Sequence, residues 1–442
     1  MKSYAICGLS CRAIAEFLIP LTGIEKLPEY GDFSKYGRIA ALLDIDVKRC
    51  NEFNQRAGTS YPVYTPDEFD RMLEETRPDY VAVTGPDFTH AGYIVKALQK
   101  NIDVISEKPV IASCEQANEV FAAAQESKAA IRVTHNLRYT VLHKTLKRLL
   151  KNQEIGQITN IEMVYNLDSY HGSSYFRRWN RDRKLSGGLT ITKGCHHFDL
   201  LNWLVDDVPE EVFAFGALNY YGPGGFHSPR KKNGKNLSVE EQKKLCPYYK
   251  RWNSPGRETP KDDHLNHFNK LFKIPMETQY PPDQELYIYD DDIHIEDTYS
   301  SVLRYRNGVS AVYSSNFSAP WEGYILGING SLGRIEVRHY GAPSRCNFHV
   351  DTEQKIFIHP LFGESRAIDI KTVEGGHGGA DICLKHEMFV EQNAESKELD
   401  LAASFRDGAL AVGVGEAVWR SAVEKRPVKL SELLCPGLLN NP

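Results

Sequence analysis

The chain runs to 442 residues, too many for one hydrophobic core, so two domains are expected. A hydrophobic content of 41% and a charged content of 25% suit an ordinary globular protein. The formal net charge of -5 shows no basic excess and argues against a nucleic-acid partner. Nine cysteines, an odd number with no CxxC pair, read as free thiols in a reducing compartment. Cys7 and Cys11 are four apart but have no His or Cys partner at zinc-type spacing, so no metal is expected. The opening MKSYAICGLS enters an apolar strand at once, without a signal-peptide pattern, and no run approaches the roughly 18 to 20 apolar residues of a membrane span. A cytoplasmic protein is the expectation.

In chain order, residues 4–7 are strand-like and residues 12–21 have helical spacing. Residues 38–43 form a second strand ending at Asp44. A helix over 67–76 follows Pro66, and 79–83 is a third strand. The Ala-, Val- and Leu-rich stretch 90–100 is a helix, 103–106 a fourth strand, 114–127 a helix and 130–133 a fifth strand. Such alternation predicts an α/β fold with a doubly wound parallel sheet of Rossmann type over 1–140.

From about Ile158 the pattern changes. Residues 161–165 are a strand and 195–205 a helix. Strands over 298–305, 310–317, 323–329 and 334–339 follow, with a hairpin turn at Arg306-Asn307-Gly308. Residues 404–423 read as one amphipathic helix. The second domain, 141–442, is therefore α+β, with a large, mostly antiparallel open sheet. That sheet would cover the cofactor or pack on another subunit. Residues 222–282, rich in Pro, Lys and Asn, read as a surface insertion more than as a lid.

The first strand ends in Gly8-Leu9-Ser10-Cys11-Arg12. A full GxGxxG is absent and only Gly8 falls in place. A glycine there permits a tight turn, and the next helix presents backbone N–H groups to a pyrophosphate. Arg12 would add a contact to a phosphate. Asp44, at the end of the second strand, would accept hydrogen bonds from ribose hydroxyls and repel a 2′-phosphate, which favours NAD. Lys48 and Arg49 follow closely and keep NADP open. The long gap between Gly8 and Asp44 is attributed to a polar insertion over 25–37. Gly85-Pro86-Asp87 with His90, and Glu107-Lys108-Pro109, lie at carboxyl ends of parallel strands, where open α/β sheets bind ligands.

These motifs together resemble the Gfo/Idh/MocA oxidoreductases, the family of glucose–fructose oxidoreductase and inositol dehydrogenase. Glu107-Lys108-Pro109 matches the family's EKP motif. Gly85-Pro86-Asp87-Phe88-Thr89-His90 matches TPNxxH, with Gly for Thr and Asp for Asn. Asn136-Leu137-Arg138-Tyr139 matches NxRY, and Gly187 to Asp199 matches GGxxxDxGxHxxD. The resemblance implies oxidation or reduction of a secondary alcohol on a sugar, inositol or glycoside. It carries over Lys108 and His196 as catalytic groups, and Gly8, Ser10, Cys11, Arg12, Asp44, Gly85, Pro86, His90, Glu107, Lys108 and Asn136 around the cofactor. The family's Asp in the last motif is replaced by Thr192, with Lys193 beside it. The run 170–179 and the later Ile295-Glu296-Asp297 and Trp321-Glu322-Gly323-Tyr324 resemble a glycoside-acting bacterial subgroup. Many of its members carry a cysteine cluster in the long insertion; only Cys246 stands here, so no metal carries over.

Hydride transfer from an alcohol needs a group to take the hydroxyl proton, and His196 suits the task. Lys108 would position the hydroxyl or relay its proton. Lys193, one turn before His196, would stand in for the missing Asp as a donor to substrate. Asp199, one turn beyond, would bind substrate hydroxyls or orient a base, with a plain helix-end charge as the equal alternative. Tyr170, Arg178 and Trp179 are expected to form a sugar platform, and His197 to be structural. The expectation is an NAD-dependent sugar, glycoside or polyol dehydrogenase that assembles as a homodimer or homotetramer through its open sheet. A redox-neutral glycosidase with tightly held NAD and a non-catalytic dinucleotide-dependent sensor are the alternatives.

Overall fold

The computed structural model describes residues 1–24, 30–233, 237–246, 248, 286–341, 343, 346, 348–350, 353–371, 376 and 378–440. Most of the 222–282 insertion, and Pro28 in the earlier one, lie outside the described residues. The first sheet holds β1 (Lys2–Cys7), β2 (Gly37–Leu43), β3 (Val63–Tyr64), β4 (Tyr80–Val83), β5 (Asp103–Ser106) and β6 (Ile131–Val133). β1 pairs in parallel with both β2 and β4, so the strand order is 3-2-1-4-5-6. β1 reads KSYAIC and is buried from Ser3 onward, as a central parallel strand covered on both faces must be.

The second sheet contains β7 (Ile158–Asp168), β8 (Pro209–Ala217), β9 (Thr298–Tyr305), β10 (Ser310–Ala319), β11 (Gly323–Gly330), β12 (Gly333–Tyr340), β13 (Gln354–Pro360) and β14 (Arg366–Ile370). Its pairings are antiparallel except for β7 with β10. β9 and β10 alternate buried and exposed positions, the mark of a sheet covered on one face.

The two halves are interlocked. After the second sheet the chain returns, and β15 (Ala403–Ser404) adds antiparallel to β6 at the edge of the first sheet. Ser404 then caps the helix Phe405–Glu424, which runs beneath both halves, and β16 (Val428–Lys429) closes the second sheet beside β8. Along this helix, Glu416 Oε2 accepts the Cys114 N–H at 2.6 Å and so completes the helix Cys114–Gln125 of the first half. Gly415 lets the backbone of Thr190 come close: a Cβ there would lie 2.4 Å from the Thr190 carbonyl oxygen.

A buried ion pair locks the same seam. Arg138, just past β6, grips Asp199 on the helix Cys195–Val205 with two hydrogen bonds of 2.9 and 2.6 Å. Arg138 also donates to the Asp400 carbonyl at 3.2 Å and lies 3.5 Å from Asp407. Asp199 is 1% exposed and both its oxygens are taken. The expectation that it meets substrate hydroxyls is corrected: it belongs to the frame.

The segment after the glycine loop is a helix from Cys11 to Thr22 with a π-turn over Ile14–Leu18. Pro20 explains the widening. It lacks an N–H and its ring would meet the carbonyl four residues back, so Ile19 bonds to Ile14 instead. The helix carries Glu16, 1% exposed, against Arg12 at 3.0 Å and Lys385 at 3.5 Å. Burial pushes the Glu16 carboxyl up to about 7, with the two cations opposing the shift.

Two predictions arise from the frame. An unfolded glutamate titrates near ~4.3, so between that value and about 7 the folded protein holds an extra proton at Glu16. Its contribution to stability should therefore decline as pH rises through this window and level off above it. Urea unfolding across that range should show the decline in the wild type and a flatter profile in Glu16→Gln; identical profiles would refute the assignment. Asp199→Asn breaks the buried pair, leaves Arg138 with the more distant Asp407 as its counter-charge, and should cost about 3–5 kcal/mol in the same measurement. A loss below about 1 kcal/mol would mean that the pair does not hold the seam.

Candidate active site

The strand order reverses at β1, and the loops after β1 and β4 meet there. Gly8 has φ +99°, and a Cβ on it would fall 2.4 Å from Gly85 Cα, so the contact excludes any side chain. Thr84 Oγ1 donates to the Gly8 carbonyl at 2.7 Å and fixes the two loops together. Ser10 caps the next helix through Ala13 N–H at 3.1 Å, with Cys11 as the first helical residue. Asp44 is buried at the end of β2. Its Oδ2 accepts from Leu9 N–H at 2.6 Å and its Oδ1 from Asp46 N–H at 2.8 Å. Each oxygen keeps a lone pair, which fits ribose hydroxyls. Arg49, which kept NADP open, is buried and donates to the Leu9 carbonyl at 3.2 Å.

The phosphate contact expected of Arg12 is corrected. Its guanidinium faces Glu16 at 3.0 Å, Glu107 at 3.1 Å and Asp381 at 3.4 Å, three carboxylates that already match its charge. Asn136 joins this network by donating to Asp381 at 2.8 Å, while its own Oδ1 is buried without a hydrogen bond. That orphaned acceptor, the side-chain-free contact at Gly8 and the carboxylate at Asp44 are together what a dinucleotide site at this edge requires.

His90 works as a clamp. Its Nδ1 lies 2.8 Å from the Pro109 carbonyl oxygen and its Nε2 2.9 Å from that of Gly85, joining the loops that carry Gly85-Pro86 and Glu107-Lys108. Lys108 thereby projects toward the second half, where its Nζ donates to the Thr192 carbonyl at 3.4 Å.

Thr192 ends the short helix Leu189–Thr192, and the helix of His196 begins three residues later. His196 has a buried Nδ1 with no hydrogen bond. Burial, then the charges of Lys108 and Lys193, hold its imidazole well below the usual histidine range, so the ring is neutral. The Lys193 ammonium sits 5.6 Å from the centre of the Tyr165 ring. His197 shares that ring: it lies 4.0 Å from Tyr165 between ring centres, and its Nδ1 meets the Tyr313 hydroxyl at 2.8 Å. Tyr170, Arg178 and Trp179 are half-buried on the segment between β7 and the Leu189–Thr192 helix, and Trp179 meets Phe88 edge-on at 5.9 Å. The structure thus brings Lys108, Lys193 and His196 together.

Several residues here escaped the sequence reading as site groups. His135, beside Asn136, is buried with neither ring nitrogen bonded, 6.4 Å from His196 between ring centres and 3.8 Å from Asp199. His171 Nδ1 and the Glu322 carboxylate form a pair at 3.1 Å across the second sheet. Asp87 was visible only as an acid inside the motif after β4; it is buried, and its Oδ2 makes no hydrogen bond.

Among the described residues no cluster of metal-ligating side chains occurs, and no helix is long and apolar enough to cross a membrane. Residues 2–135 match the model of an oxidoreductase family's NAD-binding Rossmann fold, and residues 147–430 match that family's C-terminal alpha/beta domain. YteT of Bacillus subtilis (strain 168) is 41% identical over 439 residues, covering 98% of this chain and 99% of that protein. The inositol 2-dehydrogenase of Rubrobacter xylanophilus is 25% identical over 185 residues, 40% of this chain and 48% of that enzyme. A levoglucosan dehydrogenase, solved with NADH and levoglucosan, shares the fold with a TM-score of 0.65 at 13% identity, covering 97% of this chain and 99% of that one. With both of its halves matched, the chain belongs to the Gfo/Idh/MocA oxidoreductase family and opens with its NAD-binding Rossmann domain.

Proposed function

We propose that this protein is an NAD-dependent dehydrogenase of a secondary hydroxyl on a sugar, glycoside or polyol. The observation that carries the reading is the meeting of Lys108, from the cofactor half, with Lys193 and the neutral His196, from the substrate half, in one cleft. The bound NAD would accept the hydride of the carbinol C–H. Gly8, the backbone at Ser10 and Cys11, Asp44, Gly85-Pro86 and Asn136 would hold it. His196 takes the hydroxyl proton, for which an uncharged ring is required. Lys108 and Lys193 hold the developing alkoxide by charge, and the same charges keep His196 neutral beforehand. Trp179, Tyr170 and Arg178 would supply stacking and hydrogen bonds to the ring and its hydroxyls. The relatives named for inositol and levoglucosan support a polyhydroxylated substrate.

We also infer a homodimer or homotetramer built on the second sheet. Its outer face exposes Val164, Phe215, Val302, Val312, Ile325 and Phe357, a set of apolar side chains that a partner subunit would cover.

The function is tested by following NADH formation with myo-inositol, levoglucosan, aldoses and methyl glycosides. Wild type should reduce NAD with at least one, and Lys108→Ala should lose about 100-fold or more in kcat/KM. Unchanged turnover in Lys108→Ala would sink the mechanism. Sugar release from a glycoside without net NADH would indicate the redox-neutral glycosidase. NAD binding without turnover of any panel compound would indicate a sensor. For the assembly, light scattering should report a dimer or tetramer that Val302→Glu dissociates; a wild-type monomer would refute it.

A further inference from the structure

β6 ends at Val133, and the chain then turns sharply twice. The His135 N–H bonds back to the Val133 carbonyl at 3.0 Å, and the Asn136 N–H to that of Thr134 at 2.8 Å. At His135 φ is -73° and ψ 78°, the geometry of an inverse γ-turn. Thr134, His135 and Asn136 are all buried, and each holds a polar atom that makes no hydrogen bond. Such orphans are costly singly, and a run of them marks a place where something polar is held. His135 is the extreme case: it is 1% exposed and neither ring nitrogen is bonded. Its ring stands edge-on to that of His196, 6.4 Å away between centres at 76°. The His196 Nδ1 is buried and unbonded as well. One bridging water between rings at this separation satisfies a nitrogen of each. Burial keeps both rings neutral at rest. Beyond burial, their surroundings differ. Lys108 and Lys193, with His135 and His197, all oppose a positive charge on His196. His135 has the Asp199 carboxylate 3.8 Å from its Nδ1, and Asp407 on the long helix favours its charged form too, against Arg138 and Lys108.

We propose that His135 is the second station of the substrate's hydroxyl proton, which it receives from His196, and that Asp199 is the positioning residue that makes a charged His135 tolerable. This inference rests on the assignment of His196 above. In the step, the hydroxyl proton arrives on His196 Nε2 while the proton on Nδ1 leaves through the bridging water to a ring nitrogen of His135. The hydride leaves the same carbinol carbon for the nicotinamide, and a ketone remains. One imidazolium forms, on His135, and His196 ends the step neutral. The gain is electrostatic. A charge left on His196 would face two lysines, whereas on His135 it lies beside a buried carboxylate. Two titratable groups whose surroundings set them apart in this way divide the work of taking the proton and keeping it. His135 returns the proton to solvent once the ketone has left, and the reverse reaction runs the same path backward.

The test uses His135→Gln and His135→Ala with the panel compound of highest wild-type rate and, separately, NADH binding by fluorescence. Glutamine keeps the bulk and the hydrogen bonds but cannot carry the proton. His135→Gln should lower kcat by about 10- to 100-fold with little change in NADH affinity. Its kcat/KM profile should also move. A protonated His135 blocks the second station, so the wild-type acid limb follows His135. Without it the limb follows His196, which charges at lower pH, and shifts to lower pH. His135→Ala should regain about tenfold in kcat with added imidazole and nothing with pyrrole, a ring of the same size that takes no proton. If neither variant folds, the wild type decides: single-turnover NADH formation should slow in deuterium oxide with a curved dependence on deuterium fraction, because two protons move. The proposal is overturned by a His135→Gln enzyme with wild-type kcat and profile, or by loss of NADH affinity with kcat intact. It is equally overturned by rescue with pyrrole as good as with imidazole, or by a linear or absent isotope dependence in the wild type. An inactive Lys108→Ala beside a wild-type-like His135→Gln would defeat only this inference, whereas an active Lys108→Ala would defeat the function from which it starts.

Discussion

The contact on which the rest depends is small: the Lys108 ammonium against the Thr192 carbonyl, across the seam between the two halves. It ties the loop after β5 to the segment just before the helix of His196. Lys108 gets there because its loop is pinned to the neighbouring loop by His90, which spans two backbone carbonyls. Thr192 gets there because the Leu189–Thr192 helix rests on the long helix Phe405–Glu424 at a glycine, where the backbones can touch.

The frame is made of charge as much as of apolar packing. Arg138 and Asp199 join the strand end of the first sheet to the helix of His196, and Asp400 and Asp407 extend the link to the C-terminal segment. Arg12, Glu16, Glu107, Asp381 and Lys385 form a second buried network between the glycine loop and the helix Ala380–Phe389. Buried pairs of this kind add little net stability over apolar packing, but breaking one is costly, so they fix register between elements.

Much of this was legible in the sequence. The helix over 195–205 and the strand over 298–305 have the bounds their periodicity predicts, and the hairpin turn at 306–308 closes with Gly308 at φ +89°. Strand-end residues marked the cofactor edge better than the glycine loop did. Other elements left weaker traces. The helix Val47–Ala57 buries only Arg49, Cys50 and Phe53, too sparse a stripe to read between charged neighbours. The helix Ala380–Phe389 has apolar and charged residues both turned inward, so its pattern does not announce a face. The framing partners of Arg12 and Asp199 could not be read from the sequence: Asp381 and Arg138 lie 369 and 61 residues away, and spacing along a chain carries no sign of such pairs.

The central claim is that the cofactor edge and the helix of His196 form one cleft around a bound nicotinamide. A crystal structure with NADH tests it most directly. The account predicts the pyrophosphate over the Gly8 loop, the adenosine ribose on Asp44, and the nicotinamide between Lys108 and His196 with the Lys108–Thr192 contact kept. A nicotinamide lodged away from His196, or one that parts Lys108 from Thr192 and opens the seam, would contradict it.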